Sequence, residues 1–353
     1  MHTLIAVLLV VAVAVTFFFW QPAFGRVTHG GERLERIRQS KNFSKEKFRN
    51  YEPTTLMTGD KSLLDTMVEF IFGSKPEELR PAEGQLPVVR SDLKNLPADG
   101  DLYVWFGHSS FLLRLGGVTI LADPVFYKAA PVSFVNKPFL GTDIYHPEDM
   151  PDVIDYLVIS HDHWDHLDYQ TVRELRGRVR HVVCPLGVGE DFERWGYSQA
   201  QIIEKDWWEE ELRPDIAIHC LPTRHFTGRG IWNPKTMPAA WLFEVQGHKV
   251  FFSGDGGYSG RFVKIGEKFR NIDLAIMENG QYDRCWSMIH TMPQYLGREV
   301  KELGAKRFVT IHHSKFCLAN HPWDEPRANE KIAAQESGVE LITCKIGEVV
   351  KLW

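Results

Sequence analysis

Residues His161-Asp162-His163-Trp164-Asp165-His166 gather three imidazoles and two carboxylates directly after the apolar run Tyr156-Leu157-Val158-Ile159. A strand that ends in such a loop must end at a rim where other strand ends converge, because one motif cannot complete a metal site. Imidazole and carboxylate suit zinc, iron and manganese. The spacing serves two ions at once: His161 and His163 can face one, Asp165 and His166 the other. The bland alternative is a His-rich polar loop, which leaves clustered imidazoles without partners.

The missing donors are expected at the C-terminal ends of later strands. His225 follows Ala217 to Cys220, Asp255 follows Val250-Phe251-Phe252-Ser253, and His312 follows Phe308-Val309-Thr310-Ile311. Glycines flank Asp255 and let the chain turn there. A carboxylate can bridge two cations, so Asp255 is the natural shared ligand. His290 lies in a stretch with Tyr282, Trp286 and Met288 and is expected beside the metals, as a proton donor or phosphate contact. Asp165, Asp255 and His290 are the residues expected to act in catalysis. His313 is expected to point away from His312, and His108 to be structural.

The 353 residues suffice for one large α/β domain or two ordinary ones. A net charge of −5 and a pI near 6.3 give no argument for nucleic acid as a partner. Five scattered cysteines without a CxxC pair read as buried free thiols of a reducing compartment.

Leu4 to Trp20 is apolar except for Thr16, and the basic residues follow it, from Arg26 to Arg49. Length and charge asymmetry predict a single uncleaved membrane anchor within residues 1–25, with the catalytic domain cytoplasmic. Export after cleavage near Gly25 is the alternative. Residues 26–95 read as a charged arm lying on the domain, with an amphipathic piece from Ser62 to Phe72.

A domain spanning 96–353 starts with meander strands at Leu102 to Phe106, Phe111 to Leu115 and Val118 to Leu121. Alternating β/α segments follow. A helix is predicted over Tyr169 to Leu175 with Asp168 as N-cap, and later strands include Ala240 to Val245, Leu274 to Met277, Arg307 to Ile311 and Leu341 to Cys344. Meander first and β/α afterwards, twice over, predicts two packed sheets with helices outside. The segment Pro131 to Leu140, with Phe134 and Phe139, is either a cleft rim that meets lipid or a packed loop.

The chain resembles the metallo-β-lactamase superfamily and, within it, the N-acylphosphatidylethanolamine-hydrolysing phospholipase D family. The resemblance rests on Trp105 to Ser110, Asp123 to Phe126, Ile159 to Tyr169, Asp206 to Glu210, Phe251 to Tyr258 and Ile311-His312. It implies an αββα sandwich of two mixed sheets. It also implies two zinc ions, one on His161, His163 and His225, the other on Asp165, His166 and His312, with Asp255 between them. His290 matches a family histidine beside the metals. Membrane association, a homodimer and a phospholipid substrate are implied as well. The expected activity is hydrolysis of a phosphodiester by metal-activated water. A sugar-phosphate lactonase and a non-enzymatic metal-dependent membrane scaffold are the alternatives. Glu278 to Arg284 and the loop after His225 depart from the family pattern, and both are expected to border the substrate.

Overall fold

The computed structural model describes the chain except residues 1, 26–29, 60–64, 66, 67, 69–77, 98, 99, 133, 134 and 231–234. The expected amphipathic piece Ser62 to Phe72 falls largely outside the described residues.

Two seven-stranded sheets face each other. In the first, β3 (Leu102–Trp105), β4 (Phe111–Leu115), β5 (Val118–Ala122), β6 (Ile154–Val158), β7 (Val179–Pro185) and β8 (Ile202–Lys205) are neighbours in chain order. β16 (Val349–Lys351) pairs antiparallel with β3 at the edge. The second sheet runs β9 (Glu210–Leu212), β10 (Ala217–Leu221), β11 (Ala240–Val245), β12 (His248–Phe252), β13 (Leu274–Glu278), β14 (Arg307–Ile311) and β15 (Glu340–Leu341). Each sheet is antiparallel at its meander end and parallel beyond it, from β5 onward in one and from β12 onward in the other. Parallel neighbours need crossovers, and those crossovers put helices on the outer faces.

The strand sequences explain the layers. In β3, Tyr103 and Trp105 enter the core between the sheets, while Leu102 and Val104 join the outer core. Side chains alternate faces along a strand, so a run buried on both faces is apolar throughout. Phe111 and Phe252 meet across the sandwich at 5.1 Å, edge to face. The outer core of the first sheet packs on α3 (Tyr169–Leu175) and α4 (Gly189–Arg194), and that of the second on α5 (Arg261–Phe269), α6 (Pro293–Leu303) and α7 (Glu325–Ser337). This is the αββα sandwich. α3 has the predicted bounds, and its N-cap Asp168 accepts from the Gln170 amide. The strand expected over Leu341 to Cys344 is shorter and earlier, Glu340–Leu341.

The N-terminus corrects the membrane expectation. The apolar run forms α1 (His2–Phe19), 18 residues long. At 1.5 Å per residue this is about 27 Å, short of a bilayer core of about 30 Å. Among the described residues no helix is long and apolar enough to cross a membrane. The end of the run, and the residues just after it, have partners on the protein. Phe18 and Phe19 contact Phe24, which packs on Trp164 with ring centres 5.1 Å apart. Buried Arg229 donates to the Ala23 carbonyl at 2.8 Å, and Trp195 Nε1 donates to that of Pro22 at 3.0 Å. The basic flank likewise finds acids nearby: Arg33, in α2 (Gly31–Gln39), pairs with Glu190, Glu193 and Glu204.

The arm then forms a small hairpin, β1 (Phe43–Ser44) and β2 (Lys47–Phe48). Its two turn residues, Lys45 and Glu46, both have positive φ, as a two-residue hairpin turn requires. Of the segment Pro131 to Leu140, Phe139 is buried beside Leu86 and Cys317. Phe139 is therefore a packed residue rather than a rim, and Phe134 lies outside the described residues.

Candidate metal centre

The loops after β6, β10, β12 and β14 meet at one rim of the sandwich. From the first sheet come His161, His163, Asp165 and His166; from the second come His225, Asp255 and His312. His161 Nε2, His163 Nδ1 and His225 Nε2 converge, with neighbouring separations of 2.8 and 3.2 Å. Asp165 Oδ2 and His166 Nε2 lie 3.5 Å apart on the other side. Asp255 Oδ2 stands between these sets, 3.1 Å from His166 Nε2, 3.3 Å from His312 Nε2, 3.9 Å from His225 Nε2 and 4.0 Å from His161 Nε2.

Local sequence fixes these positions. Gly254 has φ +55°, and a Cβ there would stand 2.6 Å from the Ala239 carbonyl oxygen. A Cβ at Gly257 would stand 2.1 Å from that of Met288. The first glycine permits the turn before Asp255, and the second permits close approach of the loop that carries His290. His312 has φ +71°, so the chain leaves β14 abruptly and His313 turns away, against Trp105.

Four of the imidazoles have their second nitrogen engaged, which orients the ring. His166 Nδ1 meets Asp123 Oδ2 at 2.7 Å, and Asp123 Oδ1 accepts from the Ser160 amide at 2.7 Å. His225 Nδ1 donates to the Ile289 carbonyl at 2.7 Å. His312 Nδ1 meets Ser109 Oγ, and His161 Nδ1 meets Ser160 Oγ, both at 3.0 Å. This is the support that metal-binding histidines carry.

The donor atoms themselves are left over. His166 Nε2, His312 Nε2 and Asp255 Oδ1 are buried without a hydrogen-bond partner among the described residues. Buried polar atoms need partners, and donors aimed at a common centre are answered by a cation. Burial, with neighbouring imidazoles adding to it, holds His161, His225 and His312 well below the ordinary histidine range, and burial takes His163 to about 3. Neutral rings offer lone pairs to a metal. Burial raises Asp255 to about 7. For His166 burial opposes the charge, but Asp255 and Asp165 overcome it and hold the ring well above its ordinary value. The donor set fits a metal.

Two further residues stand at the centre. His108 was expected to be structural, yet its Nε2 lies 2.9 Å from Asp165 Oδ2 and its ring packs on His312 at 4.2 Å. Glu278, at the end of β13, is fully buried. It bonds His290 Nδ1 through Oε1 and accepts from the Gly256 amide through Oε2 at 2.7 Å. Burial disfavours the His290 charge, but Glu278 outweighs it, so His290 is held above its ordinary value. The missed signal was available: like Asp255 and His312, Glu278 ends an apolar run. Asp162 points away from the other motif side chains and binds the Gly228 amide and Thr236 Oγ1, fixing the loop beyond His225.

A cavity of about 400 Å³ opens beside the cluster. His225, Phe226 and Trp207 form one wall, and the arm from Lys47 to Leu56 supplies another.

Comparison with known proteins agrees with this geometry. Residues 119–313 match the family described as beta-lactamase superfamily domain. An uncharacterised protein of Mycobacterium tuberculosis is 34% identical over 311 residues, which span 86% of this chain and 82% of that one. The N-acyl-phosphatidylethanolamine-hydrolyzing phospholipase D 1 of Caenorhabditis elegans is 28% identical over 349 residues, 92% of this chain and 96% of that one. Among solved structures, a metallo hydrolase of Ignicoccus hospitalis superposes with a TM-score of 0.53 at 20% identity, over 71% of this chain and 98% of that one. A diiron beta-hydroxylase from Streptomyces venezuelae superposes with 0.55 at 18% identity, over 72% of this chain and 55% of that one, so this chain spans about half of that enzyme. The chain belongs to the β-lactamase superfamily. It is a metal-dependent hydrolase of that superfamily.

Proposed function

We propose that the chain is a dinuclear zinc phosphodiesterase of phospholipase D type, acting on N-acylphosphatidylethanolamine or a related phospholipid. One observation carries the two-ion reading: Asp255 Oδ2 stands between the His161–His163–His225 set and the Asp165–His166–His312 set, within 4.0 Å of an imidazole nitrogen of each. The relation to the Caenorhabditis elegans phospholipase supports the substrate class.

Two bound cations would supply Lewis acidity and bring the pKa of a water toward neutrality. The residues of the chain do the rest. His161, His163 and His225 would hold one ion, Asp165, His166 and His312 the other, and Asp255 would serve both. Asp123, Ser109 and the Ile289 carbonyl keep the rings aimed. Glu278 engages His290 Nδ1 and so leaves Nε2 to pass a proton to the departing alkoxide. Water adds to phosphorus, the phosphorus–oxygen bond to the headgroup breaks, and N-acylethanolamine leaves from phosphatidic acid.

The test is product release from vesicles carrying a panel of phospholipids, using protein reconstituted with zinc. Release of N-acylethanolamine with matching phosphatidic acid is expected. Turnover of a sugar-phosphate lactone, with none of any phospholipid, would replace this reading.

A further inference from the structure

The arm is bound to three loops of the second sheet beside the metal centre, those after β10, β12 and β13. Asn50 Nδ2 donates to the His225 carbonyl at 3.0 Å, and Asn50 Oδ1 accepts from the His225 amide at 3.3 Å. Arg224 donates to the Pro53 carbonyl at 2.8 Å and to Thr54 Oγ1 at 3.1 Å. Glu52 Oε1 accepts from the Gly260 amide at 3.0 Å, on the loop beyond Asp255. The Thr58 amide donates to the Cys285 carbonyl at 2.6 Å, on the loop before His290. The arm is thus a fixed wall of the cavity beside His225.

Its side chains alternate. Phe48 packs on the core between the sheets and Asn50 turns inward to His225. Lys47 and Arg49 therefore share the opposite face of the extended chain. Both are exposed and both line the cavity, and neither enters an ion pair among the described residues. The nearby acids are engaged: Glu52 holds the Gly260 amide, and Glu46 pairs with Lys235 at 2.9 Å. Glu52 also lines the cavity, but the two cations outnumber it, which favours an anion there, and the guanidinium fork matches a phosphate or carboxylate edge.

We propose that the cavity between the arm and His225 binds an anionic group of the substrate outside the scissile linkage, held by Lys47 and Arg49. Among the described lining residues His225 alone belongs to the metal cluster, so this group sits to one side of the reacting bond. The proposal rests on the phosphodiesterase reading and narrows it: among the related phospholipids that reading allows, it selects those whose headgroup carries a further phosphate or carboxylate, over N-acylphosphatidylethanolamine, whose headgroup carries neither.

The test uses the full chain stripped of metal by chelation, at low salt, titrated with inorganic phosphate and separately with succinate while backbone amide NMR shifts are followed. Saturable shifts at Lys47, Arg49 and His225 are expected. Lys47→Ala with Arg49→Ala should weaken binding at least about tenfold, whereas Lys47→Arg with Arg49→Lys should retain it. Tighter phosphate than succinate assigns a phosphomonoester, and the reverse a carboxylate. No shifts at these residues, or unchanged affinity in the double alanine variant, overturns the proposal. Hydrolysis of bis(4-nitrophenyl) phosphate by the metal-loaded wild type tests the phosphodiesterase reading separately. Its failure alongside intact anion binding would remove that reading and leave the site.

Discussion

Asp123 and His166 form a fully buried carboxylate–imidazole pair, with Oδ2 2.7 Å from Nδ1. The pair fixes which nitrogen of His166 faces the centre. Asp123→Asn keeps the size and loses the charge. It should weaken metal binding by about 10–100-fold, read by chelator competition. Unchanged affinity would show that the pair serves packing alone.

Asp255→Asn should reduce turnover at least about 100-fold while the fold persists. The amide keeps the hydrogen-bonding shape near His166 but cannot answer the charge of two cations. Hydrolysis rates and circular dichroism on the same preparation decide this. A near-native rate would take Asp255 out of the shared position.

Asn50→Ala removes both bonds to the His225 backbone. The loss is on the order of 1–3 kcal/mol for two modest hydrogen bonds. It should appear as a lower melting temperature and as earlier loss of metal from the set containing His225. Asn50→Asp restores the acceptor alone and should recover part of the effect.

Lys315 is buried and donates to the Val125 carbonyl at 2.9 Å. Burial lowers its pKa to about 8. Below pH 8 the ammonium is charged in both folded and unfolded chains, and the folded state bears the full cost of burying it. Between pH 8 and about 10.4 the unfolded chain binds more protons, so this residue makes stability rise with pH. The rise is on the order of 3 kcal/mol. Denaturant titrations of wild type and Lys315→Met across that window should differ by this slope. Parallel curves would contradict it.

Much of this was legible in the sequence because it is local. The bounds of α3, with Asp168 as its cap, follow from one N-cap residue and one apolar face. The strand-end rule brought His225, Asp255 and His312 to the motif without any knowledge of the loops. His108 escaped because its bond to Asp165 joins residues 57 apart, through loops whose meeting depends on how the sheets pack. Glu278 obeyed the strand-end rule and was passed over because its stretch departs from the family pattern. The supposed anchor failed for a related reason. Hydropathy counts apolar residues but not the length of the helix they form, and α1 stops at 18 residues. The charge asymmetry also misled, since the acids that pair with Arg33 lie more than 150 residues away in sequence.

The donors come from both halves of the sandwich, and the backbones of His108 and His313 already bridge the same rim, with the His108 amide 2.8 Å from the His313 carbonyl. An ion held there would work as a rivet driven through a seam. Its binding energy would oppose not the unravelling of any strand but the sliding of one sheet over the other. Emptying the centre would then leave each sheet's own ladder intact and release the shear between them, so that the enzyme's grip on metal and the rigidity of its two halves are one quantity measured in two ways.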